Sequence, residues 1–390
     1  MKKIEKYTSG REKKKRVEEI DILKALAIIC IVAGHSGAPF THFIYLFHVA
    51  VFFIASGFFF KNISSEDFRA LFRGIRKKFK QLWLPFFVWN MVFVFLHNFF
   101  IEINVYTDNP EIMNYVSGRF IGTTDRYNLS QMITNTAKGA IFCSEEKLLG
   151  ACWFLKILFF VSIGYLIVDY IIKKIFKKHI LIIQGIISVV LLLLGFLCSI
   201  KRLDLFGLPL VASFYCLYYI GHVFAVYKDK YISWNSFIYG IGLVISFFLL
   251  IGLNRIGNIE LGDNSYENPL FLIVASFSGW CFLFCLAHFI SMIPIQALKR
   301  CMTTIGKRTL SVVVFHFLAM KTVSLIIIGS FKLPAFCISA FPNLYGEKNV
   351  WWLAYIVAGI GLPVLMNILY HVIFDNTVKV LKSKIKMQRC

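Results

Sequence analysis

The sequence predicts an all-α, polytopic membrane protein with about ten transmembrane helices and both termini in the cytoplasm. Three observations carry this expectation. The 390 residues are 58% hydrophobic, with a mean hydropathy of +0.70, too apolar for a soluble globular domain. The apolar residues gather in ten stretches near the roughly 20-residue length that spans a bilayer. The net charge of +21 is confined to short loops and the two tails. That is the pattern of positive-inside orientation, and no nucleic-acid-binding module is recognisable.

The ten stretches are 20–37, 43–60, 82–101, 152–172, 179–200, 207–226, 235–253, 269–292, 309–329 and 351–374. A basic tail, residues 1–19, runs directly into the first, which is therefore read as a retained helix rather than a cleaved signal. With the N-terminus inside, the inner segments hold about 30 of the 42 Lys and Arg residues, as the orientation rule requires. An even helix count brings the Lys-rich tail, 375–390, back to the same side. The domain reading is thus a basic tail, a membrane domain over 20–374, and a second basic tail. The longest outer stretch, 102–151, is polar and has room for a small cap or a short re-entrant element. The ten cysteines show neither a CxxC pair nor Cys/His zinc spacing, so no metal and no disulfide framework are expected. Cys143, Cys152 and Cys337 fall on the outer side, where one bridge stays open.

The residues that could carry chemistry begin with His35, at the end of the first apolar helix. Lys24 lies eleven positions earlier and Asp21 one turn before that. Eleven positions make almost three whole turns, so Lys24 and His35 share a helix face about 16 Å apart along the axis. His35 suits general-base work because neutral imidazole titrates near working pH; alone, it also reads as a polar residue at the interface. Lys24 alone reads as a snorkelling lysine, and Asp21 as a first-turn acid. On one stripe of a membrane helix, the three together point to a site. His48, in the second span, falls at a similar depth to His35 and could frame the same site or be satisfied by a carbonyl. Ser56-Gly57 lets helices approach closely. The inner loop from Arg69 to Lys80 carries Arg73, Arg76, Lys77 and Lys80 at helical spacing, a face that suits phosphates or anionic lipid headgroups. His316 follows Gly306-Lys307-Arg308-Thr309-Leu310 and is an intramembrane titratable group.

These stretches together resemble the acyltransferase-3 family of bacterial integral membrane O-acyltransferases, and within it the fucose 4-O-acetylase-like group. The matching residues are Asp21-Ile22-Leu23-Lys24-Ala25-Leu26 through Gly34-His35, Phe47-His48 through Ser56-Gly57, and the basic loop ending in Leu84-Pro85. Trp153-Phe154-Leu155 and Gly306-Lys307 through His316 complete the set. The resemblance implies an enzyme of the bacterial cytoplasmic membrane. It would move an acyl group, usually acetyl, from cytoplasmic acetyl-CoA to a hydroxyl of a surface or lipid-linked glycan. Lys24 stands where the family has a basic residue, often Arg, eleven before its essential His, and His35 stands at that His. Lys lacks the bidentate fork of Arg. Arg73 and Arg76 fit the family's basic pair, with Lys77 and Lys80 an alternative phase.

On this reading the nucleotide end of acetyl-CoA docks on the basic loop and its arm covers the Lys24-to-His35 interval. His35, with His48 beside it, either deprotonates the acceptor hydroxyl or first accepts the acetyl itself. Asp21 positions Lys24 one turn away, while Ser56, Trp153 and His316 support the site. The expected partners are acyl-CoA, a glycan or lipid-linked sugar, and membrane lipids. An exporter or flippase of a polysaccharide or lipid-linked sugar shares the helix count and aromatic richness and is the competing function.

Overall fold

The computed structural model describes residues 2–61, 67–115, 119–122, 125–203, 205–232, 235–345 and 350–387. Helix α1 (Lys2–His35) is continuous, so the basic N-terminal stretch extends the first span. Two short helices, α2 (Thr41–Tyr45) and α3 (Ala50–Phe58), follow. Helix α4 (Phe68–Lys78) passes through a π-helical turn, Phe79–Trp83, into α5 (Leu84–Glu102). Then come α6 (Leu129–Ala140), α7 (Trp153–Ile175), α8 (Ile180–Ile200), α9 (Leu208–Val226), α10 (Lys228–Ile232) and α11 (Ser236–Ile256). The last are α12 (Pro269–Met292), α13 (Gln296–Gly306), α14 (Thr309–Phe331) and α15 (Trp352–Met387). Four two-residue strands make two antiparallel ladders. β1 (Arg119–Phe120) pairs with β4 (Ala340–Phe341), and β2 (Ile259–Glu260) with β3 (Ser265–Tyr266).

Nine helical stretches among the described residues are long and apolar enough to cross a membrane, and each overlaps an expected span. The tenth expected span is the apolar half of α1, which carries Glu18, Glu19, Asp21 and Lys24 and so stands apart from the nine. The protein is an all-α multi-pass membrane protein. Helix α1 lies among α12, α13, α14 and α15, with Ile22, Ala25, Ile28 and Val32 fully enclosed. Helices α8 and α11 bury only 22% of their apolar windows, which places them on the periphery, facing lipid.

Close packing at the centre depends on missing side chains. A Cβ on Gly57 of α3 would lie 1.8 Å from the Tyr218 carbonyl oxygen, and one on Gly221 of α9 would lie 1.9 Å from that of Ile54. The α3–α9 crossing is therefore backbone against backbone, as small residues allow in membranes.

Two expectations change in detail. The basic segment, with its cations at helical spacing, is continuous with the span that follows: α4, the π turn and α5 form one 35-residue helix. The wider turn has a local cause in Pro85, which has no N–H to give the Gln81 carbonyl and whose ring crowds it. The helix accommodates the ring by relaxing one turn rather than ending. Residues 62–66 of the expected inner stretch lie outside the described residues. The second span is also broken, with His48 in the turn between α2 and α3.

The polar stretch after α5 folds back along it. At the start of α6, Asn98 Nδ2 donates to the Tyr127 carbonyl (2.8 Å) and the Tyr127 amide donates to Asn98 Oδ1 (2.7 Å). At its end, Trp83 Nε1 donates to the Ala140 carbonyl (2.8 Å). Trp83 and Asn98 are about 22 Å apart along the helix. The chain then returns: Phe142 packs on Phe86, and the Glu146 amide donates to Asn90 Oδ1 (2.9 Å). The segment therefore runs back along α5 from Asn98 to Trp83. It is locked by Glu146, whose carboxylate meets His97 Nδ1 at 3.2 Å and accepts from the Tyr106 hydroxyl at 3.0 Å. Burial and then the Glu146 charge push the Tyr127 phenol up to about 12 and also raise that of Tyr106, so both phenols remain donors at neutral pH. Cys143, Cys152 and Cys337 are free thiols.

Candidate active site

His35 closes α1, and the side chains around it come from six other segments of the chain. Its ring stacks on His316 of α14 (centroids 5.6 Å, 27° between planes) and tilts against Phe317 (4.9 Å). The end of α1 is tied down by Asn343 Nδ2, which donates to the His35 carbonyl (3.2 Å). On the other side, a cavity of about 40 Å³ is lined by His35, Tyr45, His48, Trp153, Phe154 and Glu260, among others. That is room for two or three waters. His48 and His35 therefore do frame one space, although His48 sits in a turn.

Hydrogen bonding fixes the tautomers of the two flanking histidines. His316 Nδ1 faces the carbonyls of Val312 (2.9 Å) and Val313 (3.0 Å), and His48 Nδ1 faces that of Ile44 (3.1 Å). Carbonyls only accept, so each Nδ1 carries its proton and each Nε2 presents a lone pair. The Nε2 of His316 is buried without a hydrogen-bond partner among the described residues. An unpartnered base in a closed apolar interior is costly, and this one lies beside His35.

At the other end of α1, Lys24 pairs with Asp21 (2.6 Å), and Asp21 is also 4.0 Å from Lys307. Asp21 is 7% exposed. Helix α13 reaches it because Gly306 has no side chain: a Cβ there would lie 1.8 Å from the Asp21 carbonyl oxygen. Asp21 thus holds Lys24 in an ion pair and has Lys307 at its other oxygen. The result is a carboxylate with two ammonium groups around it, a net positive spot about 16 Å below His35 by helix rise.

The remaining expected residues divide. Trp153 lines the His35 cavity. Arg73, Arg76, Lys77 and Lys80 are exposed on α4 and the π turn, with Arg73 paired to Asp67 (2.8 Å). Helix α4 packs on α7, while Lys24 sits beside α13; the two basic groups belong to different walls. Ser56 is half-buried next to the Gly57 crossing and is not among the residues lining the cavity. Sequence reasoning missed Glu260, Tyr45, Phe317 and Asn343. None has a spacing signal of its own: Tyr45 ends α2, Glu260 is in β2, Phe317 follows His316 on α14 and Asn343 is in a loop, and only the fold brings them to His35.

A family model described as an acyltransferase domain matches residues 17–371. The match runs from before Lys24 to beyond His316 and so contains the whole constellation. The chain belongs to the acyltransferase-3 family. The acyltransferase matches no curated protein and no solved structure. Membership makes the constellation a candidate acyl-transfer centre, and the chemistry must then be argued from its residues.

Proposed function

We propose that the acyltransferase moves an acetyl group from acetyl-CoA to a hydroxyl of a surface or lipid-linked glycan, with His35 as general base or transient acyl acceptor. The observation that carries this reading is the cavity shared by His35 and His48, backed by His316 with a free lone pair. In the direct form, the acceptor oxygen attacks the thioester carbon as its proton passes to His35. The carbon–sulfur bond breaks, and the proton is returned to the CoA sulfur. In the two-step form, His35 nitrogen attacks the thioester carbon, the carbon–sulfur bond breaks and CoA leaves as the thiol with the proton; the acceptor hydroxyl then attacks the acyl carbon, the carbon–nitrogen bond breaks and the hydroxyl proton returns to His35. His48 and His316 offer neutral Nε2 acceptors to the hydroxyl or to the imidazolium.

On this reading the Lys24 end of α1 and both chain termini face the cytoplasm of a bacterial cell, where acetyl-CoA is found. Lys24 and Lys307 hold donor phosphate, Arg73, Arg76, Lys77 and Lys80 draw the nucleotide in, and the pantetheine arm covers the interval to His35. A simple exporter needs no such arrangement. Cells with and without the chain, compared for glycan O-acetyl content by NMR, test the proposal. O-acetyl signals that require both the chain and His35 support it. Signals unchanged by deletion, with glycan lost from the surface instead, overturn it in favour of export.

A further inference from the structure

A second, larger cavity adjoins the first. It occupies about 720 Å³ between the ends of α7, α8 and α9 and the β2–β3 hairpin, and it shares Trp153 and Gly262 with the His35 cavity. Its size falls within the range of small-molecule sites. We propose that this groove binds the acyl acceptor and that it selects a carbohydrate bearing an anionic group. The inference rests on the acyl-transfer reading and supplies the substrate class that reading leaves open.

The groove is built rather than incidental. Ser199 Oγ at the end of α8 donates to the Asn264 carbonyl of the hairpin. Ser213 of α9 hydrogen-bonds the Tyr266 hydroxyl (2.8 Å), and Phe196 packs on the Tyr266 ring (5.5 Å). Its walls therefore hold a fixed shape. Its chemistry fits a polyol: Ser199, Asn264 and Ser265 line it with hydroxyl and amide groups, the hydrogen-bonding groups that suit ligand hydroxyls. The Trp153 indole offers a flat apolar surface at the opening toward His35.

Charge narrows the class. The described lining residues include two cations, Lys156 and Arg202, and one acid, Asp263; behind the lining, Lys156 also interacts with the Glu145 carboxyl. Lys156 Nζ lies over the Phe206 ring, 3.8 Å from its centroid, and donates to the Phe142 carbonyl (3.4 Å). Arg202 is the more telling. It ends α8 in a left-handed conformation (φ 51°), with its amide on the Ser199 carbonyl and the Leu203 amide on that of Cys198. Glycine is the usual residue at such a helix-ending position because L side chains are disfavoured there. An arginine held where glycine is easier places a guanidinium on the groove at a conformational cost, and guanidinium is the side chain best shaped for carboxylate or phosphate. The acceptor lies along the groove with its anion at Arg202 and Lys156, and its reacting hydroxyl passes between Trp153 and Gly262 to His35.

The test uses the full chain in lipid nanodiscs and calorimetric binding of three probes. They are a glucuronate-containing tetrasaccharide, its carboxyl-reduced neutral counterpart, and a sugar 1-phosphate. The expected result is about tenfold tighter binding of a charged probe than of the neutral one. The glucuronate and phosphate arms tell a polymer carboxylate from a linking phosphate. Arg202→Gly and Lys156→Met remove the preference, Arg202→Lys keeps most of it, and the melting temperature of Arg202→Gly is no lower than wild type because glycine suits the turn. Equal binding of charged and neutral probes, or a preference that survives both removals, overturns the proposal. Charge-selective binding without any acetyl transfer overturns the acyl-transfer reading instead and leaves the groove standing.

Discussion

His35 and Lys24 were legible in the sequence because helical periodicity alone puts them on one face. Their surroundings were not, because Glu260, Asn343 and Lys307 reach them from loops and helices more than two hundred residues away. At this scale the account makes two predictions. Replacing His35 by alanine lowers acetyl transfer by about a hundredfold to ten-thousandfold, the usual contribution of a positioned general base. His316→Phe keeps the ring stacked on His35 but removes the Nε2 lone pair, so transfer falls while donor affinity, read by acetyl-CoA titration, holds. At the other end of the stripe, Lys24→Ala and Lys307→Ala each raise the KM for acetyl-CoA, by about tenfold for Lys24 if its ammonium meets phosphate directly. An unchanged KM in both variants would remove Asp21, Lys24 and Lys307 from donor binding.

At the scale of elements, the packing rules explain which helices tolerate change. The α3–α9 crossing leaves no space for a methyl group at Gly57 or Gly221. Gly57→Ala is expected to cost about 1–3 kcal/mol by overpacking and to lower the melting temperature in detergent. The segment that runs back along α5 hangs on the buried pair of His97 and Glu146, 2% and 4% exposed. Glu146→Ala leaves His97 and Tyr106 without their shared acceptor and is expected to cost about 3 kcal/mol or more. It should open the chain to proteolysis between α6 and α7, and a protease pattern identical to wild type would contradict this. The sequence allowed for a small cap or re-entrant element after α5 but not its path, since only pairings such as Trp83 with Ala140 reveal that the chain descends along α5. The π turn was equally hidden. Leu84-Pro85 reads as the end of the basic loop, yet the helix runs through it, because a widened turn is a cheaper response to one proline than breaking a 35-residue helix.

For the whole molecule, hydropathy recovered nine of the membrane stretches nearly intact, because lipid demands long apolar helices with little freedom in length. The first helix escapes that count because it carries Glu18, Glu19, Asp21 and Lys24, the last two of which belong to the candidate site. Architecture and site are thus linked: α1 is buried among four helices, which shields the charges that a lipid-facing helix could not carry. The proposed division of labour sets donor phosphate at the Lys24 end, acyl transfer at His35, and acceptor in the groove beside Trp153. Its most direct test is a transfer assay with purified protein, radiolabelled acetyl-CoA and a glycan acceptor, run on wild type and His35→Ala together. The account predicts labelled glycan and stoichiometric free CoA from wild type, and both lowered by about a hundredfold or more in His35→Ala. Equal transfer by the two proteins would contradict it.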